Sequence, residues 1–103
     1  MGILSALFGK KSPEDFKSLI KEGALIIDVR SPAEFAGGHI EGSINIPLDE
    51  MQRHITSLKS KNKKIIACCR SGNRSGAAKN VLSEHGLITF NGGAWNSLNK
   101  KIL

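Results

Sequence analysis

Short apolar runs alternate along the chain with longer stretches in which apolar and polar residues are mixed. The apolar runs cover residues 24–29, 43–46, 65–69 and 87–90. They are too short to be core helices, and branched side chains are frequent in them, which is typical of strands buried on both faces. The pattern therefore predicts four short strands.

Helix signals fill the spaces around these strands. Ser12 and Pro13 have the residue types of an N-cap and a first helical position, and Gly23 supplies an end. Ser31 and Glu34 have the spacing of a capping box. The predicted helices, which follow such caps or carry an apolar face, cover residues 13–22, 32–36, 48–58, 74–85 and 92–98.

Regular alternation of strands and helices predicts an α/β fold, with a parallel sheet and helices on both of its faces. The 103 residues suffice for one domain. We expect an N-terminal segment over residues 1–11 and a single domain over residues 12–103. Ligands of open parallel sheets bind at the carboxyl ends of the strands, and Cys69 falls at one of these ends.

Charge is unevenly distributed along the chain, whose formal net charge is +6. Residues 1–50 hold five basic and eight acidic side chains, and the remainder holds ten basic and one acidic. The basic half favours anionic partners. No apolar run approaches the roughly 18 residues of a transmembrane helix, and residues 1–8 carry neither a basic leader nor a lipidation signal. We therefore expect no membrane partner, although the apolar residues 1–8 could pack on their own domain, on a second copy of the chain or on a membrane surface.

The two cysteines, Cys68 and Cys69, are adjacent in the sequence. A disulfide between neighbours strains the backbone, and a zinc site needs four ligands that usually arrive as spaced pairs. Free thiols persist in reducing compartments, so we expect the protein in the cytoplasm, with no metal and no cofactor. Successive residues of a strand face opposite sides of the sheet. Cys68 is therefore expected to be buried on the face opposite to Cys69.

The eight residues from Cys69 to Gly76 lie between a predicted strand and a predicted helix. Gly72 permits a positive φ, and amides turned inward in such a loop form an anion-binding nest. The positive end of the following helix points into the same concavity, and Arg70 and Arg74 add cationic charge. Both effects lower the pKa of a thiol, so Cys69 is the candidate nucleophile.

Taken together, these residues resemble the small single-domain members of the rhodanese-type sulfurtransferases. The resemblance covers about residues 12–98. It is carried by motifs in the order found in the family: Ile26-Ile27-Asp28-Val29-Arg30, Glu34-Phe35, Gly38-His39-Ile40-Glu41-Gly42, Asn45-Ile46-Pro47, the loop from Cys69 to Ser75, and Gly92-Gly93 with Trp95. Each motif alone is weak evidence, but their combination is specific.

The resemblance implies a single rhodanese-like domain, with a five-stranded parallel sheet flanked by helices on both faces. It implies that Cys69 is catalytic and carries sulfane sulfur as a persulfide, from a small anionic donor such as thiosulfate to cyanide, a thiol or a protein acceptor. The substrate-binding residues that it implies are Arg70, Ser71, Gly72, Asn73, Arg74 and Ser75. The family positions that we interpret as scaffold near the site are Asp28 and Arg30, with Glu34 and His39.

Three alternatives remain open. Phosphatases and arsenate reductases also place a cysteine and an arginine around an anion loop. Here, however, four residues separate Cys69 from Arg74, which is fewer than is typical of the loops of those enzymes. Residues 51–83 also contain no carboxylate to act as an acid. A non-catalytic persulfide carrier, or a regulatory module that docks on a partner, would need the same loop. Nucleic-acid binding through the lysines of residues 59–64 is not expected, because no aromatic residue is interleaved with them.

Overall fold

The structure, a computed structural model, describes residues 15–103. Within these residues one parallel sheet contains four strands, β1 (Leu25–Asp28), β2 (Ile44–Asn45), β3 (Ile65–Cys69) and β4 (Thr89–Ala94). Their order across the sheet is β2-β1-β3-β4. The predicted parallel α/β architecture is confirmed. The described residues form four strands, where the resemblance implied five.

Five α-helices lie in the same part of the chain, and a 3-10 turn over Leu48–Glu50 precedes the third of them. The helices are α1 (Phe16–Lys21), α2 (Pro32–Ala36), α3 (Met51–Lys61), α4 (Asn73–Glu84) and α5 (Trp95–Ile102). Asp15 caps α1, because its carboxylate accepts a hydrogen bond from the amide of Ser18 at 3.3 Å. The cap predicted at Ser12 lies outside the described residues.

The capping box predicted for α2 is present. The hydroxyl oxygen of Ser31 accepts a hydrogen bond from the amide of Glu34 at 3.2 Å, and the Glu34 carboxylate accepts one from the Ser31 amide at 3.0 Å. Gly37 ends the helix, as predicted. These bonds hold the Glu34 side chain at the start of α2, a few residues after the end of β1.

The sheet separates two apolar clusters, and the alternation of side chains along β3 assigns its residues to them. Ile65, Ala67 and Cys69 belong to the cluster that α3 and α4 complete. Ile66 and Cys68 belong to the cluster that α1 and α5 complete. All residues of β3 are buried, as is usual for a central strand of a parallel sheet. Helices thus cover both faces, and the two neighbouring cysteines lie on opposite sides.

The sequence-based prediction is wrong at the end of β4. The glycine pair 92–93 is predicted to open the last helix, but β4 continues through the pair and α5 begins at Trp95. The register with β3 also shifts at this point. Ala67 pairs with Asn91, Cys68 pairs with the second glycine, and the first glycine is the additional residue of a β-bulge.

Close packing explains why glycine occupies this bulge. A Cβ atom at Gly92 would lie 2.9 Å from side-chain carbons of both Ile66 and Leu98. Because glycine lacks that atom, the backbone of β4 can approach β3 and α5 directly. The bulge and the start of α5 place Asn91 and Trp95 at the carboxyl edge of the sheet, beside the end of β3.

No helix between residues 15 and 103 is long and apolar enough to cross a membrane. The longest of them, α4, has 12 residues, whereas a membrane span needs about 20. The same stretch of chain contains no group of three or more His, Cys, Asp or Glu side chains that could hold a metal ion.

Candidate active site

The loop after β3 joins the carboxyl end of the sheet to α4. Cys69 is the last residue of β3, and α4 begins at Asn73. Gly72 has a φ of +103°, which agrees with the positive value expected from the sequence, and Asn73 is already helical. The amides at the start of α4 therefore turn back towards Cys69.

Hydrogen-bond donors surround the sulfur atom of Cys69. The amide of Gly72 donates to Sγ at 3.0 Å, and the amide of Ser75 donates to it at 3.4 Å. The hydroxyl oxygen of Ser75 lies 3.3 Å from the same atom. Because Cys69 is only 1% exposed, these groups replace water around the sulfur. An anionic sulfur atom is stabilised by donors arranged in this way.

Burial and hydrogen bonding act on the pKa of the Cys69 thiol in opposite directions. Burial is the largest single influence and raises the pKa, because a buried charge loses its hydration. The hydroxyl of Ser75 and the amides of Ser75, Gly72 and Ser71 together outweigh burial and lower the pKa below its ordinary value. Thiolate is the nucleophilic form of cysteine. Loop hydrogen bonds, more than the arginine charges, therefore favour a reactive sulfur here.

Cys68 is as buried as its neighbour, but its surroundings and the pKa of its thiol are different. It is fully buried among Phe16, Ile66 and Leu98 in the cluster on the other face of the sheet. Burial, followed by the charge of Asp28, raises the pKa of its thiol to about 12. Cys68 is therefore a thiol at neutral pH, and its predicted burial on the opposite face is confirmed.

Arg74 forms a bidentate ion pair with Glu34 of α2. Its Nη1 donates to Oε1 at 2.7 Å, and its Nη2 donates to Oε2 at 3.0 Å. The hydrogen bonds from Arg74, followed by the amide of Ser31, lower the pKa of Glu34 from 4.5 to about 2. Glu34 is therefore ionised at neutral pH and has no proton to give as a general acid.

This ion pair corrects one step of the sequence argument, which expects no carboxylate near the loop because residues 51–83 contain none. Glu34 precedes Arg74 by 40 residues, yet the two side chains meet, because loops that follow parallel strands gather at one edge of the sheet. Asp49 and Glu50 also line a cleft together with Arg74. The absence of a carboxylate is therefore no argument against an acid-assisted phosphatase, and the ionised state of Glu34 argues only against Glu34 itself as the acid.

Asp28 and Arg30 form a buried ion pair at the end of β1, with side chains 0% and 6% exposed. Arg30 Nη2 donates to the Asp28 carboxylate at 2.7 Å, and Nε donates to both of its oxygens at 2.9 and 3.0 Å. The guanidinium also donates to the carbonyl oxygens of Glu34 and Gly38. Trp95 covers it, with its ring centroid 4.9 Å away. The pair thus ties the end of β1 to the α2 segment.

Three of the predicted binding residues, Arg70, Ser71 and Asn73, are exposed on the rim of the loop. Arg70 lines a cleft of about 410 Å³ together with Arg30 and Trp95. Glu34 also lines this cleft, and Arg30 is paired with Asp28, so among the described residues that line it the unpaired cationic side chain beside the loop that holds Cys69 is that of Arg70. Such a cleft attracts anionic ligands.

Asn91 of β4 is a site residue that the sequence analysis missed. Its Oδ1 accepts hydrogen bonds from the hydroxyl of Ser75 at 2.7 Å and from the amide of Gly93 at 2.9 Å. Its Nδ2 donates to the carbonyl oxygen of Gly72 at 3.1 Å. The signal that could have found it is its place before the glycine pair, which the bulge brings to the carboxyl edge of the sheet.

Known proteins share both the sequence pattern and the fold of this chain. The sequence profile of the rhodanese-like domain matches residues 12–99. The chain belongs to the rhodanese-like domain family. The resemblance inferred from the motifs is thereby confirmed.

This rhodanese-like chain is 44% identical over 61 residues to the thiosulfate sulfurtransferase PspE of Escherichia coli (strain K12), a match that spans 58% of this chain and 59% of that protein. Its fold is similar to a solved rhodanese with anions from E. coli, with a TM-score of 0.65 and 38% identity over 72% of this chain and 89% of that one. It is also similar to reduced CoADR-RHD of Bacillus anthracis, with a TM-score of 0.72 and 34% identity over 86% of this chain and 16% of that one. The matches thus span less than two thirds of the first and third proteins.

Proposed function

We propose that this rhodanese-like protein is a sulfurtransferase that carries sulfane sulfur as a persulfide on Cys69. The main support is the pair of amides, of Gly72 and Ser75, that donate to Sγ, with the Ser75 hydroxyl oxygen 3.3 Å from the same atom. Donors that stabilise a thiolate in a closed loop also stabilise a persulfide anion, which is a chain of two sulfur atoms with the same charge. Similarity to a thiosulfate sulfurtransferase and to a rhodanese with anions agrees with this activity.

In the first step, the Cys69 thiolate attacks the outer sulfur of a small anionic donor such as thiosulfate. A new S–S bond forms at Sγ, the S–S bond of the donor breaks, and sulfite leaves with the electron pair. The loop amides stabilise the negative charge on the outer sulfur of the persulfide. A separate general base is not needed, because the lowered pKa of the thiol supplies the thiolate.

In the second step, cyanide or a thiolate attacks the outer sulfur of the persulfide. Cyanide leaves as thiocyanate, and a thiolate leaves as a new persulfide. The electron pair of the broken S–S bond returns to Sγ and restores the Cys69 thiolate, so atoms and charge balance without an oxidant or a cofactor. A protein thiol would serve as acceptor in the same way. A reducing compartment such as the cytoplasm would keep Cys69 free for this cycle.

We assign the anionic end of the donor to Arg70, because it is exposed and lines the cleft with Arg30. Arg74 has a different assignment. Its guanidinium is bound to Glu34 through two hydrogen bonds, so its contribution is to hold the start of α4 against α2. The loop amides then bind the sulfur, and the rim arginine binds the oxygens of the donor.

Intact-protein mass spectrometry tests the persulfide directly. After exposure to thiosulfate and removal of the excess, we expect a gain of one sulfur atom per chain, lost again as thiocyanate when cyanide is added. Cys69→Ala is the matched control and should gain no sulfur. The proposal is contradicted if the wild-type protein gains no sulfur after exposure to thiosulfate, or if Cys69→Ala gains as much sulfur as the wild type.

The time course of the same experiment separates an enzyme from a persulfide carrier. In an enzyme, the added sulfur clears rapidly with a small acceptor and the cycle repeats. In a carrier that docks on a partner, the added sulfur persists in cyanide and clears when a protein acceptor is supplied. We expect the first behaviour, because Arg70, the residue that follows Cys69, lines a cleft large enough for small ligands.

A further inference from the structure

The orientation of the Asn91 amide is determined by two backbone groups that have only one hydrogen-bonding role each. The amide of Gly93 can only donate, so the atom that it contacts at 2.9 Å must be the oxygen of Asn91. The carbonyl of Gly72 can only accept, so the atom 3.1 Å from it must be the nitrogen. The same orientation turns Oδ1 of Asn91 towards the hydroxyl of Ser75.

This orientation decides where the single hydrogen of the Ser75 hydroxyl goes. Oδ1 of Asn91 has no hydrogen, so the 2.7 Å contact requires Ser75 to donate. A hydroxyl has one hydrogen to give, and the fully buried Ser75 hydroxyl has no contact with solvent through which water could accept that hydrogen. The 3.3 Å contact between Ser75 Oγ and Cys69 Sγ is then a bond in which the thiol donates.

We propose that Asn91 is a positioning residue that competes with Cys69 for the Ser75 hydrogen. While Cys69 is a thiol, Oδ1 of Asn91 holds this hydrogen. When the thiolate forms, Asn91 gives the hydrogen up to the sulfur. On ionisation the Sγ proton passes to solvent, and the Ser75 hydroxyl turns from Asn91 Oδ1 to Sγ. Oδ1 keeps the hydrogen bond from the Gly93 amide. The proposal rests on the proposed function only in treating Cys69 as the reacting thiol.

Other charged groups around the loop are left unchanged by a substitution at position 91. They are the ion pairs Asp28–Arg30 and Glu34–Arg74, the exposed Arg70, the carboxylates of Asp49 and Glu50, and the Cys68 thiol on the opposite face. Asn91 itself is exposed, so water can hydrate the backbone groups that it leaves when it is replaced. Variants at this position are therefore expected to fold.

Ultraviolet absorbance of the thiolate during a pH titration measures the competition. The chain contains no tyrosine, so no phenolate absorbs in the same range, and a Cys69→Ala titration provides the blank. Asn91→Ala frees the Ser75 hydrogen for the sulfur, and we expect the thiolate-to-thiol ratio at a given pH to rise about threefold to tenfold, the equivalent of one hydrogen bond. Asn91→Asp keeps an acceptor and adds negative charge, so this ratio should fall.

A double-mutant cycle with Ser75→Ala separates this competition from a general disturbance of the loop. Without the Ser75 hydroxyl there is no hydrogen to compete for, so Asn91→Ala should leave the ratio unchanged in that background. Asn80→Ala, on the exposed side of α4, is the control for loss of an asparagine elsewhere and should have no effect.

An unchanged or lowered ratio in Asn91→Ala would overturn the proposal, and so would an equal rise with and without Ser75. The titration needs no sulfur donor, so its outcome is independent of turnover. A protein that shows the coupling but transfers no sulfur would contradict the proposed function alone. A protein that transfers sulfur without the coupling would contradict the role of Asn91 alone.

Discussion

Cys68 and Cys69 are neighbours of identical chemistry, and the two faces of the sheet give them opposite properties. Both are almost fully buried, at 0% and 1% exposure. In the cluster completed by α1 and α5, burial raises the pKa of Cys68 to about 12, whereas on the other face the loop donors lower the pKa of Cys69. Burial alone therefore does not decide whether a cysteine is reactive. The decisive difference is whether protein donors replace the lost water.

The charged pairs at the two faces show a related difference. The Asp28–Arg30 pair, beside Cys68, is almost completely buried, with side chains 0% and 6% exposed. The Glu34–Arg74 pair at the loop has side chains 34% and 39% exposed. Loss of one partner leaves an uncompensated buried charge in the first pair and a hydrated charge in the second. The first pair is thus expected to matter for folding, and the second for local geometry.

Matched substitutions of the two cysteines should have the largest effect, which is a difference between the two variants in the rate of sulfur transfer. Cys69→Ala removes the proposed nucleophile, and we expect thiocyanate formation from thiosulfate and cyanide to fall by more than about a thousandfold. Cys68→Ala trims an apolar contact and should retain at least about half of the rate. Steady-state rates measure both effects. Similar losses in the two variants would show that the faces do not differ as proposed.

The next largest effect concerns the buried pair beside Cys68. Asp28→Asn leaves the guanidinium of Arg30 without its carboxylate, and we expect the free energy of unfolding to fall by about 3 kcal/mol. Urea denaturation measures this change. Asp49→Asn, at an exposed position, is the matched control and should change stability by less than about 0.5 kcal/mol. Equal effects of the two substitutions would contradict a structural role for the buried pair.

A smaller effect is expected at the bulge of β4, which packs on the same face as Cys68. In Gly92→Ala the new Cβ would lie 2.9 Å from carbons of Ile66 and Leu98, and we expect a loss of about 2 kcal/mol in the free energy of unfolding. Gly37→Ala is the control, because a Cβ there would meet its nearest atom at 3.5 Å. Thermal or urea unfolding measures the stability of the two variants relative to the wild type. A tolerated Gly92→Ala would refute the packing explanation for the glycine.

The smallest effect is expected at the exposed pair beside the loop, and it should depend on pH. The pKa of Glu34 is lowered from 4.5 to about 2 by folding, so the charged pair stabilises the fold above about pH 4.5 and loses this contribution as the pH falls to about 2. Glu34→Gln keeps the capping box but removes the charge. The difference in unfolding free energy between wild type and Glu34→Gln should therefore narrow over this pH interval.

Urea unfolding at a series of pH values measures this narrowing. Glu41→Gln, at an exposed position, controls for the loss of one surface charge. A stability difference between wild type and Glu34→Gln that is the same at pH 2 and pH 7 would show that the ion pair does not act through charge.

Several features were predictable because each depends on residues close together in the chain. The capping box of Ser31 and Glu34, the positive φ of Gly72 and the opposite faces of Cys68 and Cys69 are all confirmed. Each follows from a local rule about caps, glycine or strand alternation. The strand pattern likewise predicted the parallel α/β fold.

The wrong prediction at the glycine pair 92–93 and the missed site residue Asn91 both depend on contacts between residues that are distant in the chain. The glycine pair 92–93 has the composition of a helix start, but the register with β3 makes it part of a bulge. Asn91 belongs to no motif, yet the same register places it against Ser75. Neither feature can be inferred before it is known which strands are neighbours and in which register they pair.

The amino-acid sequence by itself determined where the loop with the candidate nucleophile lies, because strand alternation, glycine conformation and helix capping act within a few residues. Only the tertiary structure decided the partners of that loop. Glu34 meets Arg74 across 40 residues, and Asn91 meets Ser75 across 16. Hydrogen bonds require specific distances and directions, and folding brings such distant side chains into that range.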